Sequence, residues 1–218
     1  DLKAMTAHVH SVGARIIWDL SHSIGALPVD LSAAEVDFAI GCTYKYLNGG
    51  PGAPGFLYVR RDLQATLQPV LSGWLGDARP FDFLDEYMPA PGIDRHRCGT
   101  PPVLAYAALE GALDAFDGVD VESVRRKSIE LASLFIALVE DLPQASSLQL
   151  VSPRDSARRG SHLSFAHADA GAVMQRLIKR GVIGDFRAPD LLRFGLTPLY
   201  LRFVDVWDAV QILGEELD

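Results

Sequence analysis

The amino-acid sequence predicts an α/β chain in which part of a larger sheet domain is followed by a small α+β domain. Three observations carry this. Continuously apolar runs at Arg15–Leu20 and Val36–Thr43 read as strands of a sheet covered on both faces. Apolar residues spaced by three and four, over the longest stretch from Val121 to Leu142, read as helices with one inward face. After Gly118 the pattern changes to short strands alternating with helices, which divides the chain into residues 1–118 and 119–218.

The elements follow in order. Leu2, Met5, Val9 and Val12 share one face of a helix that stops at Gly13, a C′ glycine. The two apolar strands come next, then a third at Phe56–Val59. Before it lies Asn48–Gly55, a glycine- and proline-rich loop that permits tight turns and close backbone approach. Residues 74–97 show no clear period and read as loop with short helical pieces. Thr100 and Pro101 read as an N-cap with proline at N1, opening a helix whose stripe of Leu104, Ala108, Ala112 and Phe116 suits close packing. In the second part, Val124, Leu131, Phe135, Leu138 and Leu142 face inward from the long helix. Strands are expected at Leu148–Val151, His162–Phe165 and Leu191–Gly195, and helices at Ala170–Lys179 and Val204–Leu217.

Composition narrows the function. With 49% hydrophobic and 22% charged residues, the 218-residue chain can build a core. A net charge of -8 argues against nucleic acid and anionic membranes as partners. The densest basic stretch, Arg154 to Arg159, reads as a solvated loop. Cys42 and Cys98 form no CxxC pair, no metal-ligand spacing and no disulfide framework, which fits a reducing cytoplasm. Leu131–Val139, the most apolar stretch, is far short of the roughly 20 residues needed to span a bilayer. No signal peptide is visible. The first residue is Asp1 and the sequence opens in an amphipathic helix, from which a preceding portion is expected.

One constellation carries chemistry. Asp19 and Lys45 each end an apolar strand, and the glycine-rich loop follows Lys45 at once. Strand ends are where α/β sheets present reacting groups. A lysine amine forms a Schiff base with an aldehyde cofactor. Pyridoxal 5′-phosphate (PLP) acts as an electron sink when a carboxylate keeps its ring nitrogen protonated, a task open to Asp19. His22 is placed to orient that carboxylate or touch the ring, and Tyr44 offers a phenol for a phosphate oxygen. Taken singly, each has a plainer reading: Asp19 as a turn former, Lys45 as a solvated amine, His22 as structural.

The motifs 19-Asp-Leu-Ser-His-22, 25-Gly-Ala-Leu-Pro-Val-Asp-Leu-31, 36-Val-Asp-Phe-Ala-39 and 42-Cys-Thr-Tyr-Lys-Tyr-Leu-Asn-Gly-Gly-Pro-Gly-52 resemble those of kynureninase. So do 72-Ser-Gly-Trp-Leu-Gly-76, 98-Cys-Gly-Thr-Pro-Pro-102, 180-Arg-Gly-Val-Ile-Gly-Asp-Phe-Arg-187 and 192-Leu-Arg-Phe-Gly-195. The resemblance spans nearly the whole chain and implies the C-terminal half of a fold type I PLP enzyme. Lys45 would then carry PLP and later move the α-proton, Asp19 would face the pyridinium nitrogen, and His22 and Tyr44 would fix the cofactor. Trp74 and Thr100 would close the phosphate end, contributed by the neighbouring subunit of a homodimer. Arg193 would bind the α-carboxylate of the amino-acid substrate as a planar fork. Arg193 stands in an apolar stretch and needs a carboxylate, the substrate's or a structural one such as Asp185. The implied activity is hydrolysis of L-kynurenine or 3-hydroxykynurenine to anthranilate or 3-hydroxyanthranilate and L-alanine, a step of tryptophan catabolism toward NAD. The family's ring-stacking aromatic and further phosphate-binding hydroxyls precede the part that this chain resembles. The alternatives are another fold type I enzyme, a β-lyase or cysteine desulfurase, or a non-catalytic piece of one. The Tyr44–Lys45 pair favours kynureninase over the histidine–lysine pair of the desulfurases.

Overall fold

The computed structural model describes residues 1–217. It divides into two compact units: Asp1–Ile24 with Val29–Ala115, and Gly25–Pro28 with Phe116 onward.

The first unit is built on a three-stranded sheet, β1 (Ile17–Asp19), β2 (Phe38–Cys42) and β3 (Gly55–Val59), in that order. β1 and β2 are parallel, with Trp18 opposite Ala39 and Asp19 opposite Ile40. β3 returns antiparallel, with Leu57 opposite Ile40 and Gly55 opposite Cys42. Neighbouring side chains along a strand point to opposite faces. Trp18, Ala39 and Tyr58 therefore face a small core with Leu20, Ala34 and Val36. The opposite face is not covered as the apolar runs suggested: Ile17 is 64% exposed, and Ile40 and Leu57 are also exposed.

Helix α1 (Leu2–Ser11) begins at Asp1, whose carboxylate accepts the Ala4 N–H. Its buried residue is Thr6 rather than the expected apolar row, and Met5 and Val12 are exposed. Thr6 donates to the Leu2 carbonyl and accepts the Trp18 indole N–H at 3.0 Å, so a polar hinge fixes α1 on β1. After one turn at α2 (Arg61–Gln64), the chain is irregular to residue 102 except for two 3₁₀ turns, Trp74–Gly76 and Gly92–His96. Arg95, nearly buried, organises this stretch by donating to the carbonyls of Ala90, Ala65 and Leu67.

Helix α3 (Val103–Leu113) starts later than expected, after Pro102, with no side-chain cap. The residue before a proline is driven out of the helical region. Thr100 precedes Pro101 and Pro101 precedes Pro102, so neither can start the helix and Thr100 is not its N-cap. No residue of α3 is buried: Leu104 and Ala108 of its stripe are exposed and Ala112 is half-buried.

The second unit is a four-stranded antiparallel sheet in the order β4 (Gln149–Leu150), β5 (His162–Ala166), β7 (Leu191–Gly195), β6 (Asp185–Arg187). Sequence reading missed β6, which has three residues, two of them charged. Helices α4 (Val121–Glu140), α5 (Ala170–Lys179) and α6 (Phe203–Glu216) complete it. Asp120 caps α4 by accepting the Ser123 N–H. Leu163 and Phe165 of β5 pair with Phe194 and Leu192 of β7, and these four join Phe135, Leu131, Met174, Leu177 and Val210 in one core. The Phe135 and Phe194 rings lie 4.9 Å apart. The basic loop before β5 is less solvated than expected. Arg159 is nearly buried and donates to Pro153 and Arg154 carbonyls, while Arg125 of α4 donates to those of Ser156, Arg159 and Gly160. These arginines hold the loop through its backbone.

Candidate active site

β1 and β2 run parallel, so their C-terminal ends open on one sheet edge. Asp19 is the last residue of β1, and Lys45 lies three residues beyond the last of β2. Asp19 is exposed and Lys45 half-buried. The hydroxyl and backbone N–H of Ser21, with the charges of Lys45 and His22 behind them, hold Asp19 below the usual carboxylate range. The backbone part is an Asx-type turn, Ser21 N–H to Asp19 Oδ1 at 2.9 Å. Lys45 and His22 are thus both within electrostatic reach of Asp19. Tyr44 turns its ring under the Lys45 amine, 5.3 Å from Nζ to centroid.

The loop after Lys45 turns back at once. The Asn48 N–H donates to the Lys45 carbonyl at 3.0 Å and the Gly49 N–H to the Thr43 carbonyl at 2.9 Å. Asn48, Gly50 and Gly52 have positive φ, 61°, 71° and 86°, which explains the asparagine–glycine composition. The Thr43 hydroxyl donates to the Pro54 carbonyl and ties the loop's two ends together.

Trp74 and Thr100 are brought toward one another by a close backbone crossing. A Cβ on Gly73 would fall 1.6 Å from the Cys98 carbonyl oxygen, so only glycine fits there. A Cβ on Gly99 would lie 3.9 Å from the Trp74 indole nitrogen. The Trp74 ring meets Phe81 edge-on, with centroids 5.7 Å apart, and remains half exposed. Thr100 lines a cavity of about 760 Å³ with Thr43, Phe56, His96, Cys98 and Tyr106. His96 keeps its buried Nε2 unbonded, and burial, followed by the charge of Arg95, lowers its pKa. Lys45, Asp19 and Trp74 do not line this cavity. Sequence reading missed Ser21 and Arg95. Ser21 was legible as the Asx-turn partner two residues after Asp19, whereas Arg95 acts only through distant carbonyls.

Arg193 belongs to the second unit, on β7 and half-buried. It lies directly opposite Asp185 of β6, and its Nη2 bonds Asp185 Oδ2.

Residues 124–213 match the sequence model of the family described as the kynureninase C-terminal domain. All 218 residues align with the kynureninase of Pseudomonas fluorescens at 55% identity and with that of Burkholderia mallei (strain SAVP1) at 50%. In each case they cover 52% of the relative, so the chain spans about half the length of these curated kynureninases. Among solved structures it is similar to a cysteine desulfurase of Escherichia coli, with a TM-score of 0.81 at 21% identity, covering 100% of this chain and 55% of that one. It is also similar to one of Thermococcus onnurineus NA1, with a TM-score of 0.82 at 18% identity, covering 99% and 55%. At such identities these likenesses show the fold, the α/β fold of the fold type I enzymes expected from the sequence. The likeness to kynureninase read from the motifs holds along the whole chain.

Proposed function

We propose that this chain is the lysine-bearing part of a PLP-dependent kynureninase that hydrolyses L-kynurenine or its 3-hydroxy form to the corresponding anthranilate and L-alanine. The observation that carries the reading is the placement of Asp19, its pKa held low, and of Lys45 just past the ends of adjacent parallel strands, in a chain 55% identical to a kynureninase. The residues fit PLP. Lys45 supplies the amine, Asp19 a carboxylate held charged by Ser21 for the ring nitrogen, and Tyr44 and His22 polar groups at the same edge. When bound, PLP supplies the electron sink for cleavage beside a carbonyl. Lys45, freed from the cofactor, moves the α-proton. Arg193 receives the substrate α-carboxylate. Trp74 and Thr100 serve the phosphate end of a neighbouring subunit in a homodimer. Two free cysteines agree with a cytoplasmic enzyme of tryptophan catabolism. Among the described residues, no helix is long and apolar enough to cross a membrane.

The test uses the full-length protein loaded with PLP. Borohydride reduction and peptide mapping are expected to label Lys45 alone, and L-kynurenine to give fluorescent anthranilate. Asp19→Asn is expected to cut turnover by about a hundredfold or more with little loss of stability, since the electron sink weakens while an exposed side chain changes little. A label on Lys3, Lys127 or Lys179, or undiminished turnover of Asp19→Asn, refutes the assignment.

A further inference from the structure

Arg193 does not stand free on its strand. Asp185, opposite it across the β6–β7 ladder, takes its Nη2, and the same Asp185 oxygen accepts Nη2 of Arg187 at 3.1 Å. Among the described residues no second carboxylate lies within ion-pair distance of either guanidinium. Two positive charges thus share one negative charge, and one positive charge is left over. On the other side Arg193 is opposite Ser164 of β5, so Ser164, Arg193 and Asp185 form one row across three strands, on the face away from Leu163, Leu192 and Phe194. Asp185 engages only Nη2, which leaves the Nη1 and Nε donors of a five-donor fork for a ligand.

The geometry points to Asp185 as the positioning residue of the substrate-carboxylate site: it fixes the plane of the Arg193 guanidinium and leaves its remaining edge open to one α-carboxylate. This rests on the reading of Arg193 proposed above. A flexible arginine loses much rotamer freedom when it binds a carboxylate unless it is held beforehand. Asp185 holds it from the strand alongside. Repulsion between Asp185 and the incoming carboxylate is offset because Arg187 already neutralises Asp185. Loss of order therefore outweighs loss of repulsion when the charge is removed.

The test compares L-alanine with L-alaninamide, which lacks the carboxylate charge, by calorimetry on the full-length PLP-loaded protein. Asp185→Asn is expected to weaken L-alanine about tenfold and to leave L-alaninamide within about twofold. Asp185→Glu is expected to recover most of that loss, and Asp185→Ser serves the same comparison if the asparagine variant does not fold. Unchanged or tighter L-alanine binding, or equal weakening of both ligands as a general structural defect would give, overturns the assignment. Arg193→Lys separates the layers. If it weakens L-alanine while Asp185→Asn does not, Asp185 alone is misassigned. If Arg193→Lys has no effect, the carboxylate role of Arg193 fails and the role of Asp185 with it. Neither outcome depends on kynurenine turnover, which tests the proposed reaction separately.

Discussion

The two units have similar apolar sequences and very different interiors. The second buries seventeen residues in one cluster around Phe135, Leu163 and Val210, whereas the sheet core of the first buries four. In the first unit Val70 is 98% exposed, Phe83 88% and Leu104 87%, and one sheet face shows Ile17, Ile40 and Leu57 to solvent. An apolar patch of this kind marks a surface that binds something. The second unit has three helices over one face of its sheet and closes its own core. The first has α1 on one face and covers the other only in part, burying Val59 but leaving Ile17, Ile40 and Leu57 exposed. The proposed cofactor residues lie at the edge of the less complete unit, and chemistry there depends on support that small displacements undo.

Three measurements break or sharpen this comparison. The largest effect concerns the 218 residues expressed by themselves. They are expected to turn over L-kynurenine at least about a thousandfold more slowly than a full-length kynureninase, because Lys45 and Asp19 sit on an open sheet edge. An anthranilate fluorescence assay with excess PLP checks this, and turnover near the full-length control would show that the first unit completes its site unaided.

Next comes packing. Phe135→Ala is expected to cost about 3–5 kcal/mol, read from urea unfolding of the second unit, because it opens a cavity in a filled core. Leu104→Ala, on the uncovered helix α3, is expected to change stability by less than about 0.5 kcal/mol in this chain. Equal costs would mean that α3 is packed in solution.

The smallest effect concerns pH. Asp37, at the start of β2, is buried. Burial alone would raise its pKa, but hydrogen bonds from His10 at 2.8 Å and the Ile16 N–H at 3.0 Å, with the charges of His10 and Arg60, outweigh burial and lower it. A carboxylate with a depressed folded-state pKa stabilises the fold above its unfolded value, about 3.9, and that stability is lost as pH falls through the folded-state value. The first unit is therefore expected to weaken in acid below about pH 4, and Asp37→Asn to flatten that limb by about a kcal/mol or so. An acid limb unchanged by the substitution would remove Asp37 as its source.

Sequence by itself determined much of this protein. The period of apolar residues placed α4, α5, α6 and the main strands, because a helix or strand with one apolar stripe has few ways to bury it. Strand-end positions and the glycine loop singled out Asp19 and Lys45, because a parallel pair must present its C-terminal ends together. Only the tertiary structure decided which apolar runs are covered, since periodicity records that a face is apolar and not what lies against it. It moved the start of α3 past Pro102, where two successive prolines override a good capping residue. It revealed β6, too short and too charged to carry a period, and between the two carboxylates that Arg193 could need it showed Asp185 in place. It also placed Arg95 and Arg159 inside and Arg125 half-buried, each donating to backbone carbonyls that are distant or irregular in sequence. Such bonds leave no pattern in a sequence, because every residue carries the same carbonyl.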